Sequence, residues 1–433
     1  MSIRQLFLVS SLALALPLPA WAQAPTPATP TTLTLGQALQ AARGNLDVAL
    51  ARGAVAAASA DVAAADHAPL PVLSGKLASM DLQNGIGGGN LWSRKRIDKS
   101  IGLDWTWERG DKRELRTRTA RQAEAAAQAD LDDTTVQQLT AAHAAFFDLL
   151  AAQERLEQVT ALERSAAQLA ATAARRVQAG DLAAQDAART DIEAQRARAD
   201  VLGARLERQR AALALRQLTG VTVPADGLQA RADWPGNEVE VAMPDAAAVA
   251  QARPDVRAAQ ARALAAQAAL DGAQALKRTD LTWGASLDHF PGTSTRLLEL
   301  RVQMPLQWGY GYQGEIGRAQ AQLTQAQAAQ EKVLRAATSE MQRLQFEALA
   351  SAQRARSYET DILPRARKVA EGAETAYNKG ALSLTDLLDA RRTLRATLIE
   401  ALAARTDAAK AAGAWQLRAR PETFQTSSTE SSK

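Results

Sequence analysis

Apolar and polar positions change rhythm along this chain, and the changes divide it into two halves written to one plan. From Leu35 to about His67 apolar residues recur at helical spacing, and Pro69 and Pro71 end that run. The rhythm then becomes alternation, which predicts strands over 72–82 and 99–108. In the second strand Ile101, Leu103, Trp105 and Trp107 fall on one face, with Gly102, Asp104, Thr106 and Glu108 on the other. The connecting QNGIGGGNLWSRKR is Gly-rich and then basic, the composition of a loop. Helical spacing returns over 112–178, where a continuous helix would reach roughly 100 Å. Gly180 breaks it, and a second helix is predicted over 184–219.

After an irregular, Pro- and Gly-punctuated stretch at 221–244 the plan starts again. A helix mirrors the first, with Arg253-Pro254-Asp255 in the place of Gly44 to Asp47. Alternation over 281–290 and 296–307 predicts two more strands around the short PGTST loop. A long helix begins near Gly314, is expected to kink at Pro364, turns at Gly380 and returns to about Arg418. The two turns align without a gap: Gly180 with Gly380, Leu182 with Leu382, Asp186 with Asp386. A hairpin of two such long helices has no core of its own and must bury its apolar stripe against neighbours, so the duplicated plan predicts an elongated assembly.

Composition narrows the setting. Residues 1–22 read as a secretory signal: Arg4, an apolar run from Leu6 to Leu18, and the small-x-small site Ala20-Trp21-Ala22. The leader at 23–32 is Pro/Thr-rich and predicted irregular, and the tail at 420–433 reads as disordered. The net charge of +4 is too mild and scattered for nucleic-acid binding. With no cysteine, disulfides and thiolate metal sites are excluded, and so is a lipid-modified N-terminal Cys. His67, His143 and His289 lie too far apart for a short-spaced metal motif. No cofactor, metal site or catalytic constellation is expected, and the chain reads as a non-enzyme. No apolar run after the signal is expected to cross a bilayer as a helix, which leaves a barrel as the only way to span one.

The strands suit that role. Leu281, Trp283, Ala285 and Leu287 alternate with Thr282, Gly284, Ser286 and Asp288. Leu298, Leu300, Val302, Met304 and Leu306 alternate with Glu299, Arg301, Gln303 and Gln307. Such segments put lipid on one side and an aqueous lumen on the other. Trp92, Trp105, Trp107, Trp283, Phe290, Trp308, Tyr310 and Tyr312 cluster around them, and such rings favour the headgroup zones at the two ends of a barrel. A pair of half-buried soluble hairpins would alternate equally well. Four strands are fewer than the smallest single-chain barrel needs, so several copies must share it, and a homotrimer would supply twelve.

Over essentially its whole mature length the chain resembles the TolC-type outer-membrane efflux proteins. The duplicated plan, the G-x-[LS]-x-x-x-D turns and the strand–Gly–long-helix junctions carry the likeness. Within that family two junctions resemble the outer-membrane component of cobalt–zinc–cadmium-type cation efflux systems. They are Gly110-Asp111-Lys112-Arg113, near the family's G-G-K-R, and Gln313-Gly314-Glu315-Ile316. The resemblance implies a mainly α fold with a small β part, in which repeats at 23–220 and 245–419 flank an equatorial connection at 221–244. Three chains would form a 12-stranded barrel in the outer membrane of a Gram-negative bacterium, continued by a periplasmic α-helical barrel.

The implied function is passive conduction of substrates, divalent heavy-metal cations in this subgroup, from an inner-membrane resistance-nodulation-division pump and a periplasmic adaptor. At the implied gate, Asp386 and Asp389 match acidic rings, and Tyr377 with Asp186 matches a closing hydrogen bond. One member of that family has an Arg two residues after the second turn glycine; the residue here is Leu382, which puts that lock in doubt. Asp186 and Asp386 read equally well as helix caps. Adaptor docking falls on the turns, at Gly180, Leu182, Gly380, Leu382 and Ser383. Trp105, Trp107, Trp283 and Trp308 would meet outer-membrane lipid at its interfaces. Drug efflux or type I protein secretion through a TolC-type channel stays open, as does a periplasmic coiled-coil adaptor or structural protein.

Overall fold

The computed structural model describes residues 31–419, apart from 80–82, 84, 86–87, 89–95, 237–244 and 292. The expectations for the signal at 1–22, the tail at 420–433, Trp92 and most of the 79–97 loop therefore lie outside the described residues. The first repeat runs β1 (Thr31–Leu33), α1 (Leu35–Ala42), α2 (Leu46–Ala65), β2 (Val72–Ala78), β3 (Asp98–Trp107), α3 (Lys112–Gln178) and α4 (Ala184–Thr219). A one-turn 3-10 helix and β4 (Leu228–Ala230) follow. The second repeat runs α5 (Ala246–Ala252), α6 (Pro254–Ala275), β5 (Leu281–Phe290), β6 (Ser294–Gln303), α7 (Gln313–Ser357), α8 (Leu363–Asn378) and α9 (Leu384–Ala419).

The helix expected from Leu35 to about His67 is two helices. Asn45 caps α2 with its side chain on the Asp47 amide, and Thr34 and Gln37 close a capping box on α1. Contrary to the expectation that no run after the signal is apolar enough to cross a bilayer, Leu35–Ala65 is long and apolar enough by length and composition alone. It is tied along α3 instead: Gln138 donates to Asp47 at 2.8 Å and Arg113 to Asp66 at 2.9 Å, one bond near each end of α2.

The four strands expected from alternation form one antiparallel sheet in the order β2-β3-β5-β6. Its centre is the pairing of β3 with β5, which joins the repeats. The outer pairs are β2 with β3 and β5 with β6. Strand ends differ from expectation. β2 stops at Ala78, where Ser79 turns to φ +58, and β6 covers 294–303, with a register irregularity near Phe290. Register puts Leu73, Leu77, Ile101, Leu103, Trp105, Trp107, Trp283, Leu287, Leu298, Leu300 and Val302 on one face, and all of them are exposed.

Both long helices start from a residue at positive φ, Asp111 and Tyr312 (each +58), just after Gly110 and Gly311. Asp tolerates this left-handed conformation better than most residues, which explains how Asp111 stands where the family pattern has a glycine. Pro364 is accommodated by a wide turn at Tyr358–Ile362, where the Leu363 amide bonds the Tyr358 carbonyl five residues back.

Two regions expected to be irregular contain paired strands. β1, at the end of the Pro/Thr leader, pairs in parallel with β4 from the equatorial connection. The pairing covers a core of Leu33, Phe146, Phe147, Leu149, Leu215 and Leu228. Burial against α3 and α4 decides this, and local composition does not reveal it.

Candidate functional site

The two ends of the molecule carry the chemistry, and the turns come first. At Gly180 (φ +82) the amides of Gly180 and Asp181 bond the carbonyls of Val177 and Arg176. At Gly380 (φ +75) those of Gly380 and Ala381 bond Tyr377 and Ala376 in the same pattern. Both are left-handed C-caps that reverse a long helix. The copies differ at the next helix start. Ser383 accepts from the Asp386 amide at 3.2 Å and donates to the Asp386 carboxylate at 2.7 Å. Its counterpart Ala183 has no side-chain cap. Asp186 and Asp386 thus sit inside the first turns, where a carboxylate favours the helix N-terminus, and the cap itself is Ser383.

The expected Tyr377–Asp186 hydrogen bond is not made within the chain. The Tyr377 hydroxyl accepts from Arg176 at 3.4 Å, and Asp186 lies 3.8 Å from Arg189 on its own helix. Arg189 also donates to Thr385 at 3.3 Å, linking the two turns. Leu382, where one member of the resembled family has an Arg, is apolar, and Leu384, Leu387 and Leu388 pack with Leu169 and Tyr377 just behind the tip.

Sequence reasoning missed the ion pairs that join the repeats. From tip to equator, α9 presents Arg392, Arg395, Arg405, Lys410 and Arg418. They meet Glu193 and Asp200 of α4, then Glu154, Asp148 and Asp133 of α3. The last three pairs measure 2.5, 2.8 and 2.7 Å. In these five every cation is on α9 and every anion on the first repeat; Arg257–Asp132, Arg262–Asp130 and Arg301–Asp104 also cross from the second repeat to the first, and Lys112–Asp280 runs the other way. Burial works to raise the Glu193 carboxyl, but the hydrogen bond and charge of Arg392, helped by Arg196, hold it below the usual carboxylate range. Glu193 and Arg392 also border a cavity of about 180 Å³ between α3, α4, α8 and α9, lined by Leu162, Leu169 and Leu388. Beyond it Arg405 stacks on Trp234 at 4.7 Å, and the Trp234 indole donates to Glu154 at 3.0 Å. The equatorial connection is thereby fastened to both repeats.

At the other end the two faces of the sheet differ in kind. Opposite the exposed apolar face lie Asp104 paired with Arg301 (2.8 Å), Glu299 near Arg301 (3.4 Å), Ser286 donating to Asp288 (3.2 Å), and Thr106 against Thr282 (3.0 Å). The aromatic residues were expected at both ends of the strands. Trp105, Trp107 and Trp283 instead share the end next to the helices, where Trp105 and Trp283 are cross-strand partners. Trp308 (87% exposed) and Tyr310 lie between β6 and α7. Among the described residues only Phe290 is at the far end, and Trp92 lies outside them. Among the described residues no group of His, Asp and Glu is arranged to hold a metal ion.

A profile of the family described as "Outer membrane efflux protein" matches residues 37–221. No curated protein matches the sequence. Among solved structures, the chain is similar to the CmeC outer membrane channel of Campylobacter jejuni at TM-score 0.74 and 16% identity, covering 98% of both chains. It is similar to CusC, in structures concerned with folding and transmembrane channel formation, at TM-score 0.74 and 17% identity, covering 92% of this chain and 95% of that one. The outer membrane protein VceC of Vibrio cholerae gives TM-score 0.71 and 18% identity, over 89% of this chain and 95% of the other. The chain therefore has the fold of outer-membrane efflux channels along nearly its whole length.

Proposed function

We propose that three copies of this chain form the outer-membrane exit duct of a tripartite efflux system, open to the outside through a 12-stranded barrel and to the periplasm through a helical tunnel. One observation carries the reading: a four-stranded antiparallel sheet, exposed and apolar on one face, stands at the end of helices about 100 Å long. In water that face would be an aggregation surface, whereas in a bilayer it is the outer wall of a barrel. The sheet also has open edges at β2 and β6, and unpaired strand edges are not tolerated in lipid, so copies must join edge to edge.

The opposite face, with Asp104, Arg301, Glu299 and Asp288, then lines the aqueous lumen. The turns at Gly180 and Gly380 form the periplasmic mouth, a ring of six where an adaptor docks and through which the inner-membrane pump delivers its cargo. Asp386 and Asp389 set carboxylate rings at that mouth, which concentrate cations and oppose anions. Tyr377 and Asp186 belong to its closing contacts, with Arg176 and Arg189 as the partners they have within one chain. Divalent heavy-metal cations are the proposed cargo, on the strength of the junctions at Gly110–Arg113 and Gln313–Ile316.

The test is planar-bilayer conductance of the detergent-purified trimer beside the Asp386→Asn, Asp389→Asn double variant. The wild type should favour cations over anions and be blocked by divalent ions. The variant should lose that preference several-fold and lose the block. Unchanged selectivity would remove both residues from the gate. A protein that washes off membranes with carbonate as a monomer would overturn the duct itself and favour the periplasmic adaptor.

A further inference from the structure

The lipid-facing side of the sheet is not apolar to its far end. Register places Lys99 of β3 directly opposite His289 of β5, two residues beyond the Ile101–Leu287 pair that still belongs to the apolar face. On β6, Arg296 precedes Leu297 and Leu298 and lies opposite His289, at the irregularity between Asp288 and Phe290 where β6 carries one extra residue. Three basic side chains from three adjacent strands therefore end the apolar face together, on the side away from the helices. The acids of these strands (Asp98, Asp104, Asp288 and Glu299) all have the opposite parity and belong to the other face.

Lys99 has a further property. Its ammonium nitrogen is shut off from solvent and has no hydrogen-bond partner among the described residues. An enclosed cation without an acceptor is costly, and swinging the flexible Lys99 stem outward to an anion on the lipid side would relieve it. Arg296 is exposed and forms no ion pair among the described residues. Cations on a lipid-facing surface are tolerated only near its edge, at headgroup level, so these residues mark where the hydrocarbon ends. The two ends of the sheet are thus unlike: Trp105, Trp107 and Trp283 at the helix end, Lys99, His289 and Arg296 at the far end.

We infer that Lys99, His289 and Arg296 form a phosphate-binding site for the phosphorylated glycolipid of the outer leaflet. The inference rests on the outer-membrane orientation proposed above, because only that orientation turns the far end of the sheet outward. A phosphate monoester fits the cluster: it offers several acceptor oxygens and up to two negative charges to groups that reach it from three strands. A zwitterionic phospholipid would set its own cation among these three and is the poorer match.

The experiment measures binding of purified lipopolysaccharide to the detergent-solubilised trimer, by native mass spectrometry and by the shift of the thermal midpoint. The comparison arms are the same glycolipid after enzymatic dephosphorylation, and inorganic phosphate. Wild type should bind the phosphorylated form at least ten-fold more tightly than the dephosphorylated one. Lys99→Gln with Arg296→Gln should erase that difference, and Lys99→Arg with Arg296→Lys should keep most of it, which separates loss of binding from loss of folding. Equal binding of both glycolipids, or an unaffected Gln variant, would overturn the site. Full competition by millimolar inorganic phosphate would reduce it to a general anion site and overturn the lipid assignment. If the protein neither forms a detergent-stable oligomer nor inserts into any vesicle, the duct reading fails first; a trimer that inserts but shows no phosphate preference sinks this inference alone.

Discussion

His143 and Gly413 show how closely the two repeats approach. His143 is buried on α3, its ring 4.9 Å from that of Phe147, and α9 passes over it at Gly413. A Cβ on Gly413 would fall within the imidazole, so Gly is the one residue that fits while the ring keeps its place. Gly413→Ala should destabilise the chain by about 1–3 kcal/mol through overpacking, read as a lower thermal midpoint in detergent. Burial also pushes the His143 pKa down to about 4 from 6.5. The unfolded chain binds this proton first as pH falls, so the native state loses stability from about pH 6.5 downward, and the loss levels off near pH 4. The full change is about 3 kcal/mol per chain. Unfolding followed between pH 7 and pH 4.5 should show that slope in wild type and lack it in His143→Leu. An unchanged slope in the variant would assign it to other groups.

At the scale of elements, the proposed function falls on the turns. Gly180 and Gly380 need positive φ, and nothing lies within 4 Å of where a Cβ would be, so replacing either glycine meets a backbone cost and no steric one. For Ala that cost is about 1–2 kcal/mol. Ser383 adds what the first copy lacks. Ser383→Ala should cost about 1 kcal/mol and speed amide exchange in the first turn of α9 to a rate like that of α4, while leaving α4 itself unchanged. Equal exchange in α9 before and after the change would show that the cap contributes nothing at the tip. The duplicated turn glycines were plain in the sequence. Which residue caps was not, because Asp386 and Ser383 are both good cap residues and only the backbone geometry separates them. The wide turn at Tyr358–Ile362 was legible only as a proline that had to be absorbed somehow.

On the scale of the whole molecule, one chain is an incomplete object. Its sheet is open at both edges, its apolar strand face is bare, and residues such as Leu46 (79% exposed) and Leu50 on α2 stand uncovered along the outside of α3. The five ion pairs between α9 and the first repeat have their cations on one helix and their anions on two others, so they set the orientation of α9 as much as they stabilise it. Exposed pairs of this kind each contribute about 0–1 kcal/mol. Glu193, the most enclosed of the acids, would leave the largest uncompensated charge if Arg392 were removed. The ladder leads from the tip to the equatorial clamp at Trp234, so a shift of the helices at one end meets resistance at the other.

The sequence by itself determined the order of the long helices and sheet strands, the duplication, the turn positions and the sheet's two-faced strands, because each depends on periodicity or on a conformation that glycine adopts most readily. It could not determine what depends on distant residues meeting. The central pairing of β3 with β5, the short parallel strands over Phe146, the gathering of Trp105, Trp107 and Trp283 at one end, and the Arg and Lys partners of α9 join positions from about 80 to more than 280 residues apart. Such contacts leave no trace in local spacing. Tertiary structure chose them, by burying the surfaces that one hairpin alone leaves in water.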